Sequence, residues 1–137
     1  MVIPIDELSR EVIGISMRLH TALGPGLFES VYEAVLCGKL QDKGLRVDRQ
    51  RFVDIEFEGK IYGNAMKIDL LVDERLVIEV KSKRTNSELD AQQLLTYLRL
   101  TNLSVGLVIN FGLTSLKEGI RRVVNNHIDS ASSAFSA

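Results

Sequence analysis

Lys67-Ile68-Asp69-Leu70-Leu71-Val72-Asp73-Glu74-Arg75-Leu76-Val77-Ile78-Glu79-Val80-Lys81 decides how this chain reads. Charged and apolar residues alternate on both sides of Asp73-Glu74-Arg75, the pattern of two half-buried strands joined by a turn. With those three residues in the turn, Val72 opposes Leu76, Leu70 opposes Ile78 and Ile68 opposes Val80. That face is wholly apolar. The other face sets Asp69 against Glu79, Leu71 against Val77 and Lys67 against Lys81. Directly opposed residues have Cβ atoms about 4.5–5.5 Å apart. Two carboxylates that close repel unless a cation lies between them or one takes up a proton. A hard divalent cation with oxygen ligands settles the conflict, and lysines beside it suit a phosphate. A solvated sheet face, or ion pairs with Lys67 and Lys81, would account for the same charges without a metal. A one-residue slip in register would lose the match of both faces.

Outward from the hairpin, composition narrows the classes. At 137 residues the chain is long enough for one domain with a sizeable core. A net charge of −1 supplies no global pull toward nucleic acid, so any such binding needs a local basic patch. The single Cys37 excludes an intrachain disulfide and fits a reducing cytosol. It lies in a helical apolar pattern and reads as a packed thiol. No apolar run is long enough to cross a membrane, and the N-terminus lacks a signal-peptide pattern. His20 and His127 have no ligand spacing for zinc.

Upstream, Leu8, Val12, Ile15 and Leu19 recur at helical spacing from Pro4 to about Leu23. Gly24-Pro25-Gly26 breaks that helix. A second helix runs from about Phe28 to Lys43, with Val31, Ala34, Val35 and Leu36 among its buried residues and Gly44 as its stop. Val47–Phe57 and Ile61–Val72 flank the hairpin signal Glu58-Gly59. Downstream, Ser87 is the N-cap of a helix holding Leu94 and Leu98. Val105–Phe111 is an apolar run expected of a strand buried on both faces, and residues 114–124 read as a last helix. The crossover makes the third and fourth strands parallel. The fold expected is α/β: a mixed four-stranded sheet with helices on both faces, in the order ααβββαβα. It forms a single domain over residues 1–128, with a small polar tail at 129–137 expected to be disordered.

An Asp, a Glu-x-Lys ten residues on, and a helix carrying Gln93 resemble the core of the PD-(D/E)xK nuclease superfamily. The chain is more closely similar to small prokaryotic proteins named for a GxxExxY motif, here Gly26-Leu27-Phe28-Glu29-Ser30-Val31-Tyr32. Asp69–Val72, Ile78–Lys81, Gln93–Leu98 and Gly106–Gly112 follow in the same order. Together these pieces span roughly residues 5 to 125. Two positions depart from the pattern: Lys67 stands where Arg is frequent, and Asp90 stands where His is frequent.

The resemblance implies a cytoplasmic Mg2+-dependent hydrolase, with Mn2+ as the other candidate ion, cutting phosphodiester bonds in DNA. The apolar pattern leads us to expect no membrane partner, and a homodimer stays open. The alternative is a catalytically inactive module of the same fold that binds nucleic acid or protein. Asp69, Glu79 and Glu29 are the implied metal ligands. Lys81 would orient or activate the attacking water; its other reading is a strand-end lysine reaching solvent. Glu29 also suits a first helical turn on dipole grounds alone. Tyr32 either orients Glu29 or is a core aromatic. Gln93 would hold a substrate phosphate or Lys81, unless it is a buried amide serving the backbone. Tyr97 shares its helix face with Gln93. Lys67, Lys83 and Arg84 would contact the nucleic-acid backbone in a salt-dependent, sequence-independent way. Two further basic clusters, Lys43-Arg46-Arg49-Arg51 and Lys117-Arg121-Arg122, read as solvated faces.

Overall fold

The computed structural model describes residues 2–127. Its elements are α1 (Ile5–Leu23), α2 (Glu29–Asp42), β1 (Val47–Phe57), β2 (Lys60–Val72), β3 (Leu76–Lys81), α3 (Glu88–Thr101), β4 (Val105–Asn110), α4 (Leu116–Gly119) and β5 (Ile120–Val124). The strands form one sheet in the order β1-β2-β3-β4-β5. Only β3 and β4 run parallel. The right topology follows from the α3 crossover, which returns the chain to the same end of the sheet. The tail at 129–137 lies outside the described residues.

Helices cover both faces, as expected. On one face α1 and α2 pack Leu8, Val12, Leu36 and Leu40 onto Leu70, Val72, Leu76, Ile78 and Val80. On the other, Leu94 and Leu98 of α3 pack onto Leu71, Val77 and Val108. Every residue of β4 is buried, which is why its sequence shows no alternation. Asp6 at the start of α1 accepts from Arg122 of β5 and lies 2.8 Å from the Nε2 of His127, fastening the first helix to the last strand.

Four expectations need correction. Residues 114–124 are not one helix. Only Leu116–Gly119 is helical, and Ile120–Val124 is a fifth strand, paired antiparallel with β4. The β-branched residues there satisfy an otherwise open edge of β4. In α2 the buried residues are Tyr32, Glu33, Leu36, Cys37 and Leu40, whereas Val31 is 39% exposed and Ala34 is exposed. The helix is turned by Tyr32, whose ring stacks on Phe111 with centroids 4.6 Å apart. The β2–β3 ladder matches the expected register at Leu70↔Ile78, Leu71↔Val77 and Val72↔Leu76, but ends there. Ile68 does not face Val80. It packs with Leu71, Val77 and Leu94 on the α3 side, while Val80 packs under α1 and α2. Finally, Asp69 and Glu79 are not ladder partners, because the Asp69 side chain takes the Val80 N–H that β2 backbone would have taken.

Candidate active site at a fork between two strands

Below Leu70 and Ile78 the two strands part, and Asp69 sits in the fork. Its Oδ2 accepts from the Val80 N–H at 2.9 Å. Across from it in β1, Gln50 has a left-handed φ of 55°, an uncommon conformation for a residue other than glycine. The β1–β2 ladder pairs Arg49 with Leu70 and Arg51 with Ile68 but skips Gln50 and Asp69. This local break turns Asp69 out of the regular alternation. Its neighbour Ile68 accordingly shares a cluster with Leu71 rather than with Leu70.

Glu79 lies on β3 with only 5% of its surface exposed, and among the described residues its Oε1 has no hydrogen-bond partner. Burial, the Asp69 charge beside it and a side-chain interaction with Asp69 push its carboxyl up to about 9, partly offset by Lys81. At neutral pH the protein alone therefore keeps Glu79 protonated. A buried carboxyl with a vacant oxygen beside a second carboxylate fits a divalent cation by its donor chemistry. The third expected ligand is less well placed. Among the described residues no group of three His, Cys, Asp or Glu side chains is gathered for a metal.

Asp69 opens into a cleft of about 950 Å³ lined also by Glu29, Glu33, Gln50, Lys67, Ser82, Lys83 and Arg84. Glu29 begins α2, and its Oε1 accepts from the Ser82 N–H at 3.4 Å. Ser82 Oγ donates to the Leu27 carbonyl at 2.6 Å, tying the α2 entry to the end of β3. Tyr32 does not bond Glu29. Its hydroxyl donates to the Gly24 carbonyl and accepts from the Leu27 N–H, so it is a buried aromatic that straps the loop before Glu29. Glu79, Lys81, Gln93 and Tyr97 do not line the cleft. Tyr97 is still close enough to Glu79 and Asp69 for their charges to add to burial in raising its hydroxyl pKa. Gln93 is exposed on α3. Lys67 and Arg84 are exposed and, among the described residues, form no salt bridge. Lys83 is paired with Asp90 at 2.8 Å, so the residue standing where His is frequent holds a cation at the cleft wall.

Four residues of the site carry more than their sequence announced. Glu33 is buried; it accepts from Arg49 Nε at 3.1 Å and from the Gln50 amide, whose nitrogen lies 3.5 Å from Asp69 Oδ1. Nothing local marks Glu33 or Gln50, since they meet across 17 residues. Asn110 ends β4 and is 2% exposed. Its Oδ1 accepts from the Lys83 and Gly112 N–H groups, and its amide donates to Thr85 O and Asn86 Oδ1. One side chain thus fixes the loop carrying Lys83 and Arg84. A polar residue closing an apolar run was its only signal. Gly112 completes the clamp: a Cβ there would sit 2.2 Å from the Lys83 carbonyl oxygen.

A model of the PD-(D/E)XK nuclease superfamily matches residues 6–123. This chain belongs to that superfamily. Its nucleases generally use divalent metal ions, and membership points to nuclease-like chemistry on nucleic acid. The crystal structure of SSO0001 has a similar fold, with a TM-score of 0.51 and 19% identity, over 75% of this chain and 52% of that one. The chain thus spans about half the length of SSO0001, and the likeness concerns the fold alone. No curated protein matches it. Among the described residues, no helix of this superfamily member is long and apolar enough to cross a membrane.

Proposed function

We propose that the protein is a cytoplasmic, metal-dependent nuclease of the GxxExxY branch that hydrolyses phosphodiester bonds in DNA, with Mg2+ or Mn2+ as its ion. The observation that carries this reading is the unpartnered buried oxygen of Glu79 beside Asp69, the residue that itself opens into a cleft walled by Lys67, Lys83 and Arg84. Asp69 and Glu79 would hold the ion, with Glu29 reaching it from α2. The bound ion would polarise the scissile phosphate and acidify a water. Lys81 would orient that water and offset charge gathering on the phosphate. Lys67 and Arg84 would grip the flanking backbone, and Lys83 would join them on release from Asp90. Gln93 and Tyr97 would meet substrate from α3.

One observation favours the competing reading, a module that binds nucleic acid or protein without cutting: no three acids are gathered for a metal among the described residues. The test joins calorimetry with Mg2+ and Mn2+ to cleavage of labelled DNA. The wild type should bind the ion and cut, and Asp69→Ala and Glu79→Ala should each lose at least about 10³-fold in rate. Equal cutting by the doubly substituted protein would end the nuclease assignment. Absent ion binding in the wild type would favour the non-cutting module.

A further inference from the structure

Past Met66 the β1–β2 hairpin runs on without a third strand, because the β2–β3 ladder reaches only to Leu70. An isolated two-stranded ribbon is marginal in water. This one nevertheless exposes Phe57 at 60%, Ile61 at 67% and Tyr62 at 44%. Its turn, Glu58-Gly59, has φ values of 50° and 77°, and a tight turn of that kind keeps the tip well defined. The tip is also acidic, with Asp54, Glu56 and Glu58 against Lys60. None of those acids forms an ion pair among the described residues. Phe57 and Tyr62 share one face of the ribbon and Ile61 lies on the other beside Glu56, and apolar groups exposed on such an arm mark an interaction surface. An acidic tip repels a phosphate backbone, which argues against nucleic acid as its occupant.

The same chain carries a surface of the opposite character. A groove of about 600 Å³ lies between α1 and α2, and its apolar wall includes Leu19, Leu23 and Val35. Its rim is basic, with Arg18, Lys39 and Lys43 against Asp42, and none of these makes an ion pair among the described residues. Counted this way, the tip carries a net charge of −2 and the groove +2.

We infer that the hairpin is a dimerisation arm whose tip docks in the α1–α2 groove of a second copy of the chain. Ile61 fills the apolar floor, and Glu56, its cross-strand partner on the same face of the ribbon, and Glu58 in the turn face Lys39 and Lys43. Exchange of arms about a two-fold axis uses the contact twice, as closed symmetry requires.

Sedimentation equilibrium on the full chain between about 1 and 100 μM tests this. The wild type should dimerise. Reversing the tip (Glu56→Lys with Glu58→Lys) and, separately, reversing the groove (Lys39→Glu with Lys43→Glu) should each weaken self-association at least about tenfold. An equimolar mixture of the two reversed chains should associate again, since each tip then meets a groove of opposite charge. The substituted positions lie on the surface, and circular dichroism should be unchanged. A monomeric wild type at about 100 μM, a dimer indifferent to both reversals, or a mixture that stays apart would each overturn the proposal.

Discussion

The two halves of β2 teach different lessons from one continuous strand. From Ile68 to Val72 it is flanked by β1 and reaches β3, and nearly every side chain is buried. From Lys60 to Ala65 it has β1 alone, and every residue is exposed. Asp69 stands at the junction. Burial on the core side raises the cost of charge at Glu79, and the parting strands let Asp69 look into solvent. The site thus depends on the contrast between halves rather than on either half.

The largest expected effect breaks the core half. Leu70→Ala should destabilise by about 2–5 kcal/mol, because Leu70 is fully buried and its loss leaves a cavity. The same truncation in the arm, Ile61→Ala, should shift stability by no more than about 0.5 kcal/mol. Urea denaturation of both variants at a protein concentration where the wild type is monomeric checks the pair, and equal losses would mean the arm is packed in solution.

Next is the proton held on Glu79 beside that fork. Glu79 has a folded pKa of about 9 against 4.5 as its ordinary value. The folded protein therefore keeps a proton that the unfolded chain releases, and metal-free stability falls as pH rises from 4.5 toward 9. Below 4.5 this pH dependence vanishes, since both states are protonated. Glu79→Gln should then be more stable than wild type at pH 8 by about 2–4 kcal/mol, with little difference at pH 4. Parallel pH dependence in the two proteins would place the raised pKa elsewhere.

A smaller effect sharpens the comparison from the β1 side. Gln50→Leu removes the amide that links Glu33 to Asp69. It should lower divalent-ion affinity and cleavage about tenfold, the usual scale for a partner that orients a ligand. Calorimetry and single-turnover cleavage read the two separately. An unchanged ion affinity would show that Val80 alone holds Asp69 in place.

The core half was legible in the sequence for a simple reason. Local alternation and a short turn fix register, so Leu70↔Ile78, Leu71↔Val77 and Val72↔Leu76 could be read from spacing, whereas the break in the ladder beyond Leu70 could not. The bounds of β1 and β3 and the start of α3 followed from Gly, Ser and apolar runs in the same way. Residues 114–124 misled because Leu116, Ile120 and Val124 recur every four positions, which suits a helix. The open edge of β4 makes the decision, and that edge is not written in the segment itself. The Glu33–Gln50–Asp69 chain was equally hidden, since a left-handed Gln50 has no local signature. Gln93 and Tyr97 show the converse: their shared helix face was legible, but the distance of that face from the cleft was set by packing of α3.

The link between Asp6 and Arg122 spans 116 residues of chain. Its closure carries one of the largest loop entropies in the molecule, whereas the β1–β2 hairpin closes across a two-residue turn. Helix α1 should consequently dock late in folding, after β5 has joined the sheet. Until then the face of β3 and β4 beneath it is open to other chains, and the first helix acts as the final cover on the core.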